Sequence, residues 1–111
     1  MAQLHIYREN EVTPLIATRG GETKLGETIG LSAGDDLAAA LKASSATFVV
    51  LGLPEDIGVR ANNGIGGAHT AWHSFLKSFL NIQHTDACRG TDFLLLGDID
   101  FTDWMVDCAD A

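Results

Sequence analysis

The chain predicts an α/β fold built on a strand–helix–strand unit, and three observations carry that prediction. Phe48-Val49-Val50-Leu51-Gly52-Leu53 and Phe93-Leu94-Leu95-Leu96-Gly97 are both unbroken apolar runs. Such runs suit strands covered on both faces, as in parallel sheets, rather than the alternation of a half-solvated sheet. Between them a helical pattern spans Ala68 to Ile82, reached through a loop rich in glycine and asparagine from Pro54 to Gly67. Strand, crossover helix and strand in one sheet are expected to form a right-handed β-α-β unit. A parallel sheet of two strands cannot cover itself. The pattern therefore expects either pairing with more protein or a place at the opening of a larger domain.

Each element has a local reason. In the crossover helix, Ala68, Trp72, Phe75, Leu76, Phe79 and Leu80 follow the i, i+3, i+4, i+7 spacing of a single apolar stripe. The polar stretch Asn81 to Asp92, with the turn signal Arg89-Gly90, returns the chain to Phe93. Upstream, Ser32 is expected to start a helix: Ser32 and Asp35 have capping-box spacing, Asp36 adds negative charge at the positive end of the helix dipole, and Leu37 to Ala43 are strong helix formers. Ser44-Ser45-Ala46 ends it. Leu4-His5-Ile6-Tyr7 reads as a short strand. Glu22 to Ile29 alternates weakly after Gly20-Gly21 and is expected to be an extended arm or hairpin. Beyond Ile99, the stretch Asp100 to Ala111 begins a further helix. Residues 1–46 thus form an arm and helix, and residues 47–111 the β-α-β unit. No internal repeat or low-complexity segment is present.

Composition narrows the function. The 111 residues are 46% hydrophobic and 20% charged, which fits one globular domain at most. The net charge is −8, with 7 Lys and Arg against 15 Asp and Glu. The cations, Arg8, Arg19, Lys24, Lys42, Arg60, Lys77 and Arg89, are scattered. Phosphate contacts need clustered cations, so neither nucleic acid nor an anionic membrane surface is an expected partner. There is no basic segment followed by an apolar run at the N-terminus and no run approaching the length of a membrane span. Cys88 and Cys108 lack CxxC spacing, so a reduced, cytoplasmic setting is the simpler expectation than a Cys88–Cys108 disulfide.

Several constellations carry chemical meaning. The Pro54–Gly67 loop leaves the carboxyl end of a parallel strand, where open α/β sheets bind ligands. Arg60 is placed to clamp a carboxylate, and Asn62 and Asn63 to orient a polar group. The simpler reading is that the asparagines and glycines allow left-handed turns while Arg60 pairs with Glu55 or Asp56. Gly64-Ile65-Gly66-Gly67 precedes a helix but matches neither phosphate-loop pattern. His69 and His73 stand four apart, a metal-ligand spacing, yet Thr70 occupies the place of a general-base glutamate; half-buried structural histidines are the preferred reading. In Asp98-Ile99-Asp100, both carboxylates fall on one face if the strand continues and could share a divalent cation; capping of the next turn is preferred. No serine or cysteine lies in a G-x-S-x-G elbow.

The segment Val49 to Ala68, with its strand ending in Gly-x-Pro and its Gly58-Val59-Arg60-Ala61-Asn62-Asn63-Gly64 loop, resembles the first strand and loop of the arginase–agmatinase–formimidoylglutamase family. The resemblance is nearest to the formimidoylglutamase branch. Gly21 to Glu27 is similar to an N-terminal arm of that branch, and Leu95-Leu96-Gly97-Asp98-Ile99 to its second strand. The resemblance implies the N-terminal β-α-β portion of a three-layer α/β/α fold with a parallel sheet. It also implies hydrolysis of guanidino or formimino carbon–nitrogen bonds by hydroxide activated on two manganese ions. The family's ligands lie in later Gly-Gly-x-His, Asp-x-His-x-Asp and Asp-x-Asp motifs. Gly66-Gly67-Ala68-His69 and Asp98-Ile99-Asp100 look like two of these but stand too early, so no metal ligand and no catalytic residue is carried over. The resemblance therefore implies an inactive N-terminal part of a hydrolase, with manganese held elsewhere in the parent. Arg60, Asn62 and Asn63 are its candidate contacts to a small-molecule substrate. A stand-alone, non-catalytic assembly module and a small metal protein using His69 and His73 are the alternatives. Exposed sheet edges predict self-association.

Overall fold

The structure is a computed structural model that describes residues 3–109. It begins with strand β1, Gln3–Ile6, followed by a helical turn α1, Glu9–Val12, and a short helix α2, Leu25–Thr28. A two-residue strand β2, Gly30–Leu31, precedes helix α3, Leu37–Ala43. Strand β3, Phe48–Gly52, leads through a one-turn helix α4, Ile57–Ala61, to helix α5, Ala71–Leu80. Strand β4, Phe93–Asp100, and helix α6, Thr102–Ala109, complete the chain.

β4 is the centre of a four-stranded mixed sheet. β3 runs parallel along one edge, from Phe48 opposite Phe93 to Gly52 opposite Asp98. The other edge is shared by β2, parallel at Leu94 and Leu95, and by β1, antiparallel from Ile6 opposite Gly97 to Gln3 opposite Asp100. The expected β-α-β unit is therefore present as β3–α5–β4, but the sheet is mixed rather than wholly parallel. β1 is the antiparallel member, exchanging paired hydrogen bonds with the carboxyl half of β4. A register shift between Val50 and Leu51 passes over Leu96 and places Leu51 opposite Gly97. Gly97 has φ +148°, and a Cβ there would run into the carbonyl oxygen of His5, so glycine is required where β1 crowds the bulge.

The core lies between α5 and the sheet. Leu76 and Leu80 of α5 pack with Leu95, Tyr7 and Val12, and Trp72, Phe79 and Val50 close around them. Of the stripe read from the sequence, Leu76 and Leu80 are buried and Trp72 and Phe79 half-buried, while Ala68 and Phe75 are exposed. Phe75 is half exposed and instead stacks between Trp72 and Phe79, at 5.6 and 5.4 Å between ring centroids. The helix is also shorter than its pattern, since Ala68–Thr70 is a 3₁₀ turn.

Two upstream expectations are corrected. The Glu22–Ile29 arm holds the helix α2, not a hairpin. Leu25 is wholly buried, its N–H donates to Ile82 O (2.8 Å), and the side chain of Glu27 caps the backbone of Lys24. Burial of one leucine outweighs a weak alternation. Ser32 does not cap α3; Asp36 does, accepting from Ala39 N at 3.2 Å. Ser32 is buried and donates to Gly34 O, while Arg8 reaches across to the carbonyls of Ser32 and Gly34 and to Asp35. That tie holds residues 32–35 in a bend and delays the helix.

Candidate functional site

The loop after β3 is folded around one carboxylate. Asp56 precedes α4 and is wholly buried. Its Oδ2 accepts from Gly67 N (2.9 Å) and Arg60 Nε (3.1 Å), with Arg60 Nη2 at 3.0 Å. The Gly67 N–H is the main cause holding the Asp56 carboxyl below the usual range, with Arg60 and His69 acting in the same direction and burial opposing. Gly66 must lack a side chain, because a Cβ there would press on Arg60 Nε and Asp56 Oδ2. Gly67 takes φ +117° to turn its N–H onto the acid.

The three residues expected to face a substrate sit on this loop. Arg60 forms the i, i+4 ion pair with Asp56 that the simpler reading named. Asn62 ends α4 and donates from its side chain to Gly58 O (3.3 Å). Asn63 occupies the left-handed region at φ 62°, and the N–H of Gly64 closes the turn on Val59 O (2.8 Å). All three thus have structural work in the turn, while remaining exposed on its surface.

Next to this loop, at the carboxyl ends of β3 and β4, a cleft of about 290 Å³ is lined by His5, Pro54, His69, Asp98, Asp100 and Thr102, with Phe101 and Met105 on its apolar side. Arg60, Asn62 and Asn63 are not among its lining residues. Asp98 accepts from the hydroxyl of Tyr7, which itself accepts from Trp72 Nε1 (2.8 Å). Burial, then the Asp98 contact, raises the Tyr7 phenol well above its ordinary range, so it stays a donor. Asp100 accepts from the hydroxyl of Thr102 and from its N–H (2.9 Å), and these bonds lower its carboxyl. Capping of the next turn therefore falls to Asp100 alone, at the first residue of α6, whereas Asp98 is engaged by Tyr7. His69 faces Asp56, with Nδ1 3.4 Å from Oδ2, whereas His73 is exposed. The expected pair of half-buried histidines is thus split, because His69 lies in the 3₁₀ turn before α5 and only His69 turns inward. His5 sits 2.6 Å from Glu11.

Among the described residues, no group of three or more His, Cys, Asp and Glu side chains is arranged to hold a metal ion. These residues do not fit a manganese pair. Cys88 is a free thiol; the side chain of Cys108 falls outside the described residues. No helix among the described residues is long and apolar enough to cross a membrane. Sequence reading named Asp56 only as a partner for Arg60. It did not find His5, Tyr7 or Thr102, whose roles depend on β1 and α6 meeting at the end of β4.

No protein family, curated protein or solved structure matches the chain.

Proposed function

We propose that the chain forms the opening β-α-β unit of a cytoplasmic, manganese-dependent formimidoylglutamase-like hydrolase acting on linear amidine or guanidino carbon–nitrogen bonds in histidine breakdown. The observation that carries this reading is the loop after β3. It is glycine-rich, wound on the buried Asp56, and set beside a polar cleft at the carboxyl end of two adjacent parallel strands. That is where sheets of this class bind small molecules. The 111-residue chain is inert by itself, and its parent holds both manganese ions on later segments.

The test is the reading frame after codon 111. A frame continuing into Gly-Gly-x-His and Asp-x-His-x-Asp segments, with a product that releases formamide from N-formimidoyl-glutamate only in the presence of manganese, supports the reading. Turnover by the 111-residue chain alone contradicts it. In the complete hydrolase, Arg60→Ala raises KM by roughly tenfold, the worth of one charge-assisted hydrogen bond, at unchanged manganese content. An unaltered KM removes Arg60 from the substrate site.

The uncovered edge of β3 supports a second reading, a non-catalytic assembly module. A natural stop at codon 111 favours it.

A further inference from the structure

The Asp56–His69 contact has a consequence that the loop's shape alone does not require. Asp56 is a buried carboxylate with one oxygen, Oδ2, aimed at three groups: Gly67 N–H, the Arg60 guanidinium and the imidazole of His69. His69 Nδ1 is shut off from solvent, makes no regular hydrogen bond, and lies 3.4 Å from that oxygen. A ring nitrogen in this position has two options. With a lone pair it sets negative density against a buried anion in a medium of low dielectric, which is repulsive. With a proton it makes a charge-assisted contact. The second option is the stable one, and the tautomer of a histidine is fixed in this way by whatever its other nitrogen meets.

We propose that Asp56 is a positioning residue that fixes His69 as the Nδ1–H tautomer and so presents Nε2 as a bare acceptor to the cleft. His69 is one of the cleft's lining residues, with Asp98 and Asp100 in the same lining. Asp98 is oriented from beneath by the buried Tyr7 just as His69 is by Asp56. The imidazole therefore joins two carboxylates in lining the cleft with hydrogen-bond acceptors. Such a cleft takes a ligand through its N–H donors, and a neutral imidazole there is also placed to receive a proton from one. This deepens the hydrolase reading by naming a residue for the cleft's proton chemistry. The tautomer itself depends only on the geometry around Asp56.

The chain contains its own control. His84 Nδ1 accepts the N–H of Gly90 (3.1 Å), so its neutral ring carries the proton on Nε2. The test is a two-dimensional ¹H–¹⁵N spectrum of the imidazoles of the 111-residue chain at a pH where the rings are neutral. The expected result is opposite tautomers, Nδ1–H for His69 and Nε2–H for His84, in one sample. In Asp56→Asn the His69 preference is lost while His84 is unchanged. His69 as Nε2–H in the wild-type chain overturns the proposal without need of any variant. Loss of the His84 signature in the wild type overturns it too, because the fold it rests on is then absent. If Asp56→Asn fails to fold, Arg60→Gln, which leaves the carboxylate in place, must retain the His69 tautomer; its loss there assigns the effect to loop shape and contradicts the proposal. None of these readouts measures hydrolysis, so failure of the hydrolase reading leaves a distinct result.

Discussion

β3 and β4 are both unbroken apolar runs, yet the molecule treats them oppositely. Leu94, Leu95 and Leu96 are at most 4% exposed, whereas Phe48, Val49 and Leu51 are 40–56% exposed. Position in the sheet makes the difference. β4 has β3 on one edge, β1 and β2 on the other, and α5 over one face. Among the described residues β3 has a single neighbour. Val50 packs into the core and a Cβ at Gly52 would strike the indole of Trp72, so that face is covered from Val50 onward, while Phe48 at its start only stacks on Phe93. Val49 and Leu51 alternate onto the other, uncovered face. An apolar run shows that a strand is fit to be covered on both faces; it does not show that the covering is present.

The largest effect expected from this contrast is at Leu95. Leu95→Ala removes a wholly buried side chain and should cost about 2–5 kcal/mol in urea unfolding. Leu51→Ala, half exposed on β3, should stay within about 0.5 kcal/mol. Equal losses at the two sites break the comparison. Gly97→Ala comes next. Its Cβ meets the His5 carbonyl and the backbone is at positive φ, so a loss of about 1–3 kcal/mol is expected, with β1 released from β4. Selective broadening of β1 resonances checks it; an undisturbed β1 contradicts it.

Asp56 sharpens the comparison at the end of β3. Its carboxyl is held below its ordinary value of 3.8, chiefly by the Gly67 N–H. Across that window the unfolded chain binds the proton that the folded chain refuses. The stability due to Asp56 is therefore fully present above pH 3.8 and is lost as pH falls through the lowered folded value. Asp100 behaves in the same direction, through Thr102. Urea midpoints of Asp56→Asn should fall less steeply on acidification than those of the wild type, without becoming flat. An unchanged acid slope contradicts the hold of the Gly67 N–H and Arg60 on this carboxylate. The smallest effect on stability belongs to Val49→Lys, within about 0.5 kcal/mol. The same change should suppress self-association through the uncovered β3, read by light scattering. Association undiminished by the lysine places the contact elsewhere.

What the sequence made legible follows contact range. The β3–α5–β4 unit, the turn chemistry of Asn62 and Asn63, and the Arg60–Asp56 pair rest on patterns within a few residues. Asp56 as a buried anchor was hidden because its strongest partner, Gly67 N–H, is eleven residues away and carries no side-chain signal. The support of Asp98 by Tyr7 spans 91 residues and needs β1 already in place. The Ser32 cap failed for a similar reason: Arg8, distant in sequence, ties the bend down. The exposure of β3 was foreshadowed only by the argument that two parallel strands cannot cover themselves.

The central claim is that β4 is the interior strand of this sheet and β3 its uncovered edge. Amide hydrogen exchange on the chain at high dilution tests this most directly. The account predicts strong protection at Leu94, Leu95 and Leu96, and near-free exchange at those β3 amides that face away from β4. Protection of these outward β3 amides equal to that of β4, in a sample shown to be monomeric, contradicts it.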